Sequence, residues 1–490
     1  MTSPAQTQER PVRSLIPVRM DKMPWSKFHW MVIFGLGTAW ILDGLEIQIV
    51  ASAGYAKDLG MSDAQVGATA TVYLIGQVVG ALVFGRLTDK LGRKKLFIVT
   101  LLVYLIGSGV AGLSPNVWFL WAFRFVAGMG IGGEYSAINS AIDELMPGKY
   151  RGRVDLAING TYWAGAVLGS LGSFYLLDTD RFAENIGWRI AFFIGPVLGL
   201  IIIFLRRHIP ESPRWLVTHG RGEEAERIVS GIDQSVRDDG QEPPHLDESQ
   251  GWWIKAHEGV TFKQLGYVFF KLYPTRTLLG LTLMITQSFL YNAIFFTSSL
   301  VLQNFYGKTS SSAALYFFPF AIGNLLGPLL LGRFFDTVGR RKMIGGSYSI
   351  AAVVLFISAV LFRADVLSAG THTALWCLSF FFASAGASAG YLTVSEIFPL
   401  EVRGQAISYF FSIAQLFGAV GPLIFGALIG GGTARGPLFW GYVGASLIML
   451  IGGLVAFKFG VDAEGKALED IAPPLSTYDE QGNQLTKLPV

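Results

Sequence analysis

The sequence predicts an all-α membrane protein of about twelve transmembrane helices in two pseudo-symmetric six-helix bundles, with cytoplasmic termini. Three observations carry that expectation: a composition too apolar for a soluble chain, apolar runs of membrane-crossing length, and two loop motifs that each occur once per half. Of 490 residues, 51% are hydrophobic and only 15% are charged, whereas soluble domains carry about 25% charged residues. The 59 glycines suit helices that pack closely in lipid. A net charge of +3 is too small to point to nucleic acid. The single cysteine, Cys377, allows no intrachain disulfide.

The apolar runs fall near 30–54, 66–87, 96–113, 117–140, 154–177 and 188–207, then near 276–302, 312–334, 344–362, 372–395, 405–430 and 436–458. Each is close to the roughly 20 residues a helix needs to cross a bilayer. Lipid leaves only helices or closed barrels to satisfy the backbone, and long continuous runs exclude the barrel's short alternating strands. The spans frame a tail over 1–27, a first bundle over 28–207, a connector over 208–275, a second bundle over 276–460 and a tail over 461–490. The N-terminal stretch is polar and basic, with no short apolar core before a small-residue cleavage site, and reads as a cytoplasmic tail. In the connector, Ala225, Ile228, Val229 and Ile232 among charged neighbours predict a short amphipathic helix. Trp252, Trp253, Phe262 and Leu265 suggest a second, interfacial one.

Orientation follows from the basic residues of the short loops. The second loop carries Arg86, Lys90, Arg93, Lys94 and Lys95, the fourth Lys149, Arg151 and Arg153, the eighth Arg333, Arg340, Arg341 and Lys342, and the tenth Arg403. The odd loops are poor in Lys and Arg, so the even loops and both termini are expected in the cytoplasm.

GRLTDKLGRKK at 85–95 recurs as GRFFDTVGRRK at 332–342, and DELMPGKYRGR at 143–153 recurs as SEIFPLEVRGQ at 395–405. Both copies sit at corresponding places in their halves. Two halves of equal topology imply a pseudo-two-fold axis along the membrane normal, with a solute site between them near the midplane. Asp89 and Asp336 lie beside a glycine turn and a basic cluster containing Arg93 and Arg340. Such carboxylates pair with arginine or cap a neighbouring helix, and contacts made only in one state would bias a conformational equilibrium. Glu144, Arg151, Glu396 and Arg403 join them as gating candidates. The basic residues could instead serve only to set topology.

The paired G-x-x-x-D-x-x-G-R-[KR]-K loops, the RGR and RGQ elements, PESPRW after the sixth span and SEIFP after the tenth resemble the major facilitator superfamily over about residues 28–460. PESPR and EIFP are most similar to its sugar-porter branch and to related metabolite–proton and organic-ion transporters. The resemblance implies alternating access by two rocking halves in the inner membrane, with a small-molecule solute and protons as partners in a lipid bilayer. A monomer is expected, and no cofactor.

Ionisable residues inside spans are costly and mark function. Asp43 and Glu46 lie three apart on one face of the first span, Arg124 is in the fourth, and Glu134 follows ten residues later. A carboxylate poised between desolvation and a nearby arginine can load a proton on one side and release it on the other. The resemblance puts Glu46 in the proton-site position of sugar porters, while metabolite–proton relatives carry Asp-Gly followed by a second acid, which both Asp43 and Glu46 fit. Alternatively the acids form a structural ion pair, and Glu134 serves packing.

For solute contact, sugar porters carry Gln-Gln-x-x-Gly-x-Asn in the seventh span. Gln287 and Asn292 match the second Gln and the Asn, whereas Thr286 and Leu290 replace the first Gln and the Gly. Tyr391 falls where sugar porters often carry Trp. Gln415 in the eleventh span, and Asn159, Tyr162 and Trp163 in the fifth, are further candidates; each could instead serve interhelical packing. Amides offer donors and acceptors and aromatic faces cover C–H surfaces, a combination that suits a hydroxylated solute. The expected activity is proton symport of a small polar, sugar-like solute. The alternatives are an organic ion, an organic acid or a vitamin-like ring, or gradient-independent diffusion. No Cys/His metal spacing and no phosphate-binding loop appears, so neither an enzyme, a metal site nor an ATP-driven pump is expected.

Overall fold

The computed structural model describes residues 11–51, 55–61, 63–177, 181–206, 208–255, 260–295, 297–308, 315–429, 434–479 and 484–486. The parts of the predicted spans at 52–54, 207, 296, 312–314 and 430, of the connector at 256–259, and of the tails at 1–10, 480–483 and 487–490 lie outside the described residues. Among the described residues twelve long helices dominate: α1 Lys27–Ala51, α2 Asp63–Leu91, α3 Arg93–Ala111, α4 Val117–Leu145, α5 Arg151–Leu176, α6 Glu184–Arg206, α7 Pro274–Leu290, α8 Phe317–Thr337, α9 Arg340–Arg363, α10 Ala369–Ile397, α11 Arg403–Ile429 and α12 Arg435–Phe459. Ten are long and apolar enough to cross a membrane on their own account. The other two, α4 and α5, carry Arg124, Glu134, Asp143 and Glu144, and Arg151, Arg153 and Asp155. All of these but Arg153 are buried within the protein.

Helix α7 does not run straight. Its last turn widens into a π-helical segment, Tyr291–Phe295, and helix resumes at Ser298–Tyr306. Single π turns inside helices are frequent at functional sites, because the added residue re-aims side chains.

The two halves are built alike. Helix α1 packs on α5, α2 on α4 and α3 on α4, as α7 packs on α11, α8 on α10 and α9 on α10. The halves meet through α5 against α8 and α2 against α11, the two contacts a pseudo-two-fold axis would exchange. In the first bundle α1 and α5 touch backbone to backbone: a Cβ on Gly44 would sit 1.9 Å from the Tyr162 carbonyl oxygen, and one on Gly165 would sit 1.9 Å from that of Ile41. No side chain fits at either position, so glycine there fixes the register of the pair.

At one end of the molecule, called here the connector end, the tails and connector fold together. Trp252 and Trp253 are not in an interfacial helix. They belong to a strand, Trp252–Ile254, that pairs antiparallel with Val12–Ser14 on one side and Thr477–Tyr478 on the other. A short aromatic run has no helical period of its own, and its pairing partners, hundreds of residues away, decided its conformation. Gly222–Asp238 is helical and buries Ala225, Val229, Ile232 and Val236 against the start of the first bundle.

Candidate functional site

Between the bundles lies a cavity of about 420 Å³, within the range of small-molecule sites. Every residue expected to contact solute lines it: Asn159, Tyr162 and Trp163 from α5, Gln287 from α7, Asn292 from the π turn, Tyr391 from α10 and Gln415 from α11. The wall is largely aromatic. Tyr135 stacks on Tyr391 with ring centroids 6.1 Å apart, and Trp163 lies 5.9 Å from Tyr291. The amides are held in place by their neighbours. Ser288 Oγ donates to Gln415 Oε1 at 2.8 Å, and Asn292 Nδ2 donates to the Ser288 carbonyl at 2.8 Å. Gln415 Nε2 reaches across the molecule to Gln77 Oε1 on α2 at 3.3 Å, joining the two bundles through paired amides.

Gln77, Ser288, Ser384 and Tyr135 also line the cavity, and none was expected. Gln77 is a lone amide in the middle of an apolar span, a signal that could have found it. Tyr135 sits next to the flagged Glu134, while the serines are indistinguishable in sequence from small-residue packing.

The acids are buried inside the first bundle, behind the cavity wall. Glu46 Oε1 and Arg124 Nη1 are 2.7 Å apart, and their exposures are 2% and 1%. Arg124 also lies over the Tyr73 ring at 4.1 Å and lines the cavity. Asp43 occupies a separate station: Tyr135 Oη donates to it at 2.7 Å and Tyr73 Oη at 3.4 Å. Glu134 shares a small side pocket with Asp43, Trp40 and Tyr135, so it does not reach the central cavity. Neither acid of α1 faces lipid. Each touches the cavity through one intermediary, Glu46 through Arg124 and Asp43 through Tyr135.

At the connector end the repeated loops lock the bundles together. Asp89, at the end of α2, accepts from the Gly404 and Gln405 N–H groups at 3.1 and 2.9 Å. In the mirror position Asp336, at the end of α8, accepts from Gly152 and Arg153 N–H at 3.0 and 2.8 Å. Each carboxylate thus caps the first turn of a helix in the other bundle, where the dipole favours negative charge. Each also pairs with the arginine four residues on, Arg93 at 3.3 Å and Arg340 at 2.7 Å. Glu144 joins Arg93 at 2.8 Å to Arg403 at 3.2 Å across the interface, and Glu396 joins Arg340 at 3.0 Å to Arg151 at 3.7 Å. All eight gating candidates therefore meet in two matching clusters.

Beneath these clusters the turns before α3 and α9 are made by Gly92 and Gly339, with φ of 96° and 113°, a region other residues avoid. Glu211 of the connector accepts from Arg93 N–H at 2.8 Å, and Glu464 of the C-terminal segment accepts from Arg340 N–H at 3.2 Å. Burial pushes the Glu211 carboxyl above its ordinary value, against the pull of the Ser212 amide and Arg93. Arg214 pairs with Asp21 at 2.9 Å and Glu469 at 2.5 Å, tying N-terminal tail, connector and C-terminal tail together. Burial works against its charge, yet those two carboxylates hold its pKa above the usual arginine value. Asp21 also binds Arg151. None of these tail and connector contacts was foreseen. They join residues far apart in sequence, and only PESPRW, which contains Glu211 and Arg214, marked the place.

The cavity reaches away from the connector end, to Ile47, Tyr55, Val66 and Ala70 near the far ends of α1 and α2. The molecule is thus shut at the connector end by the paired clusters.

Residues 35–474 match the family described as "Sugar (and other) transporter". The chain is 25% identical to the niacin transporter NiaP of Acinetobacter baylyi, over 92% of this chain and 98% of that protein. It is 26% identical to the glucose transporter GlcP of Staphylococcus epidermidis, over 85% of this chain and 90% of that one. Among solved structures it resembles the major facilitator superfamily proton:xylose symporter XylE bound to 6-bromo-6-deoxy-D-glucose, with a TM-score of 0.74 at 19% identity, covering 91% of this chain and 98% of that one. Against a partially occluded inward-open conformation of XylE from E. coli the TM-score is 0.63 at 17% identity, over 88% and 99% of the two chains.

Proposed function

We propose that this chain, which belongs to the sugar (and other) transporter family and has the major facilitator fold, carries a small polar, sugar-like solute across the inner membrane together with a proton. A multi-pass membrane transporter of this family moves a small-molecule solute. The choice of solute, the coupling and the orientation are our reading.

The observation that carries it is the cavity itself: amides Gln287, Asn292, Gln415 and Gln77 among aromatic faces from both bundles, and buried acids one residue behind the wall. Amides that both donate and accept fit hydroxyl groups, and stacked rings fit C–H faces. The basic loops put the connector end in the cytoplasm, so the present state faces outward. The solute enters from the far end and contacts both bundles, which draws them together there.

Coupling follows from the two acid stations. Glu46 ionised holds Arg124, and Glu46 protonated lets it go. Asp43 ionised accepts the Tyr135 hydroxyl, and protonation changes what that hydroxyl donates to. Tyr135 and Arg124 both form cavity wall, so proton load and solute contact bias the same equilibrium. When the halves rock and the paired clusters part, the acids and solute meet the cytoplasm. Among the proposed coupling residues Glu134 supports Asp43 from the shared side pocket.

A second reading is favoured by one observation, that Arg124 lines the cavity among aromatic rings. An arginine released by Glu46 would bind the carboxylate of a flat organic acid, with the rings stacking on its faces. Uptake by purified protein in liposomes, with sugars and with aromatic carboxylates, separates the two. Concentrative uptake dependent on a pH gradient, and lost in Glu46→Gln and Asp43→Asn, supports coupling. Undiminished concentrative uptake in both variants rejects it.

A further inference from the structure

The two gate clusters match in their four gating side chains and, beside Arg153 against Gln405, whose backbone N–H groups serve alike, differ at two acid positions. Aligning the repeats, α4 has Asp143 where α10 has Ser395, and α5 has Asp155 where α11 has Ile407. Without these two acids the repeated side chains of each cluster balance, Asp89 and Glu144 against Arg93 and Arg403, and Asp336 and Glu396 against Arg340 and Arg151, with Asp21 of the N-terminal tail a further carboxylate at Arg151. The surplus acids are fully buried, each with 0% exposure. Asp143 accepts from Ser395 Oγ of the other bundle. The Asn159 amide faces the Asp155 carboxylate but spends its well-aligned hydrogen bonds on Asn139 Oδ1 and the Asp155 backbone carbonyl, and neither carboxylate oxygen has a partner at full hydrogen-bond geometry.

The groups facing Asp155 do not compensate it. From α4 comes Asp143, from α10 Glu396, from the start of α9 Arg340, and from its own helix Asn159. Arg340 is already bound by Glu396 on two sides and by Asp336, itself at the end of α8. Arg151, at the start of α5, is bound by Asp21 and Glu396. An ionised carboxylate buried among two others with no free cation is very costly. A metal ion is no remedy, for among the described residues no group of three His, Cys, Asp or Glu side chains has the geometry to hold one.

We propose that Asp155 is a proton-binding site of the cytoplasmic gate, occupied while the gate is shut and emptied into water when α5 and α10 part. This rests on the alternating-access reading, but neither on the solute nor on Asp43 and Glu46. One O–H bond forms on Asp155 as the gate closes and breaks to water as it opens. The closed state therefore binds one more proton than the open state, so acid favours closure and a rising cytoplasmic pH favours opening. The gate becomes a sensor of the compartment into which the solute is delivered.

The test uses the full chain in lipid nanodiscs without solute, with Cys377→Ser, Glu46→Gln and Asp43→Asn as background so that neither acid station of α1 titrates. Spin labels replace Lys90 and Lys342, exposed at the connector end on opposite bundles. Their distance distribution gives the open-to-closed ratio from roughly pH 5 to pH 8, the interval over which a perturbed carboxyl can titrate. In the background protein the ratio should rise with pH. In Asp155→Asn, and in Asp155→Ile, which restores the residue of the other half, the slope should fall by one proton, a loss of about tenfold per pH unit. A pH-independent distribution in the background protein, or an unchanged slope in either variant, overturns the proposal. Uptake is not measured, so failure here is distinct from failure of the transport reading.

Discussion

The connector end and the central cavity of the same molecule obey opposite rules of symmetry. At the connector end the halves supply equivalent residues, Asp89 with Asp336, Arg93 with Arg340, Glu144 with Glu396 and Arg403 with Arg151, in nearly superposable contacts. At the cavity they supply different chemistry: the first half brings Arg124, with Asp43 and Glu46 behind the wall, and the second brings Gln287, Asn292 and Gln415. In the proposed rocking motion, matched contacts at the connector end would serve both bundles alike. Recognition of a solute that has no two-fold axis, and loading of a proton, need an unmatched site. The difference assigns motion to what was duplicated and chemistry to what diverged.

The comparison breaks most severely at the Glu46–Arg124 pair. Arg124→Leu leaves a buried carboxylate uncompensated, at a cost of about 3–5 kcal/mol. Uptake against a gradient in liposomes should vanish while binding measured by calorimetry persists.

Next come the latches. Glu144→Gln leaves Arg93 and Arg403 each short of a charged partner, and should destabilise the closed gate by about 2–3 kcal/mol. Glu396→Gln should cost less, because it also relieves the crowding of Asp143 and Asp155. Label distances across the connector end measure both. Equal shifts would mean that the surplus acids are without influence.

In the cavity, Gln415→Ala should raise KM about tenfold with kcat nearly unchanged, the loss of about one hydrogen bond. Gln77→Ala should follow it, because the two amides are one pair; a double substitution should be no worse than about the larger single effect. Smallest are the supports beneath the latches. Glu211→Ala and Glu464→Ala each remove a carboxylate from the start of α3 or α9, and should lower stability by about 1 kcal/mol in thermal unfolding.

How much of this was legible in sequence depends on the length scale of the signal. The spans were plain because each is a local run, and the latches because each repeat is continuous and occurs twice. The cavity residues were legible where a polar side chain interrupts an apolar span, as Gln415 and Asn159 do. Asp43, Glu46 and Arg124 declared themselves by their cost in lipid, but their separation into two stations did not, since it depends on Tyr73 and Tyr135 from other helices. Trp252 and Trp253 were misjudged because strand pairing with Val12–Ser14 and Thr477–Tyr478 leaves no local trace. Asp155 was passed over: one turn inside a helix that starts with Arg151 and Arg153, it reads as a loop charge, and only its surroundings make it an anomaly.

The glycine contact between α1 and α5 joins three places along one rod. Helix α5 carries the gate residue Arg151 at its foot, Asn159 and Trp163 at cavity depth, and a seam to α1 at Gly165. Because Gly44 and Gly165 bring the two backbones into direct contact, a tilt of α5 in the proposed motion would carry α1 with it, Asp43 and Glu46 included. Movement at the foot of α5 would then reach the acids through the backbone seam itself.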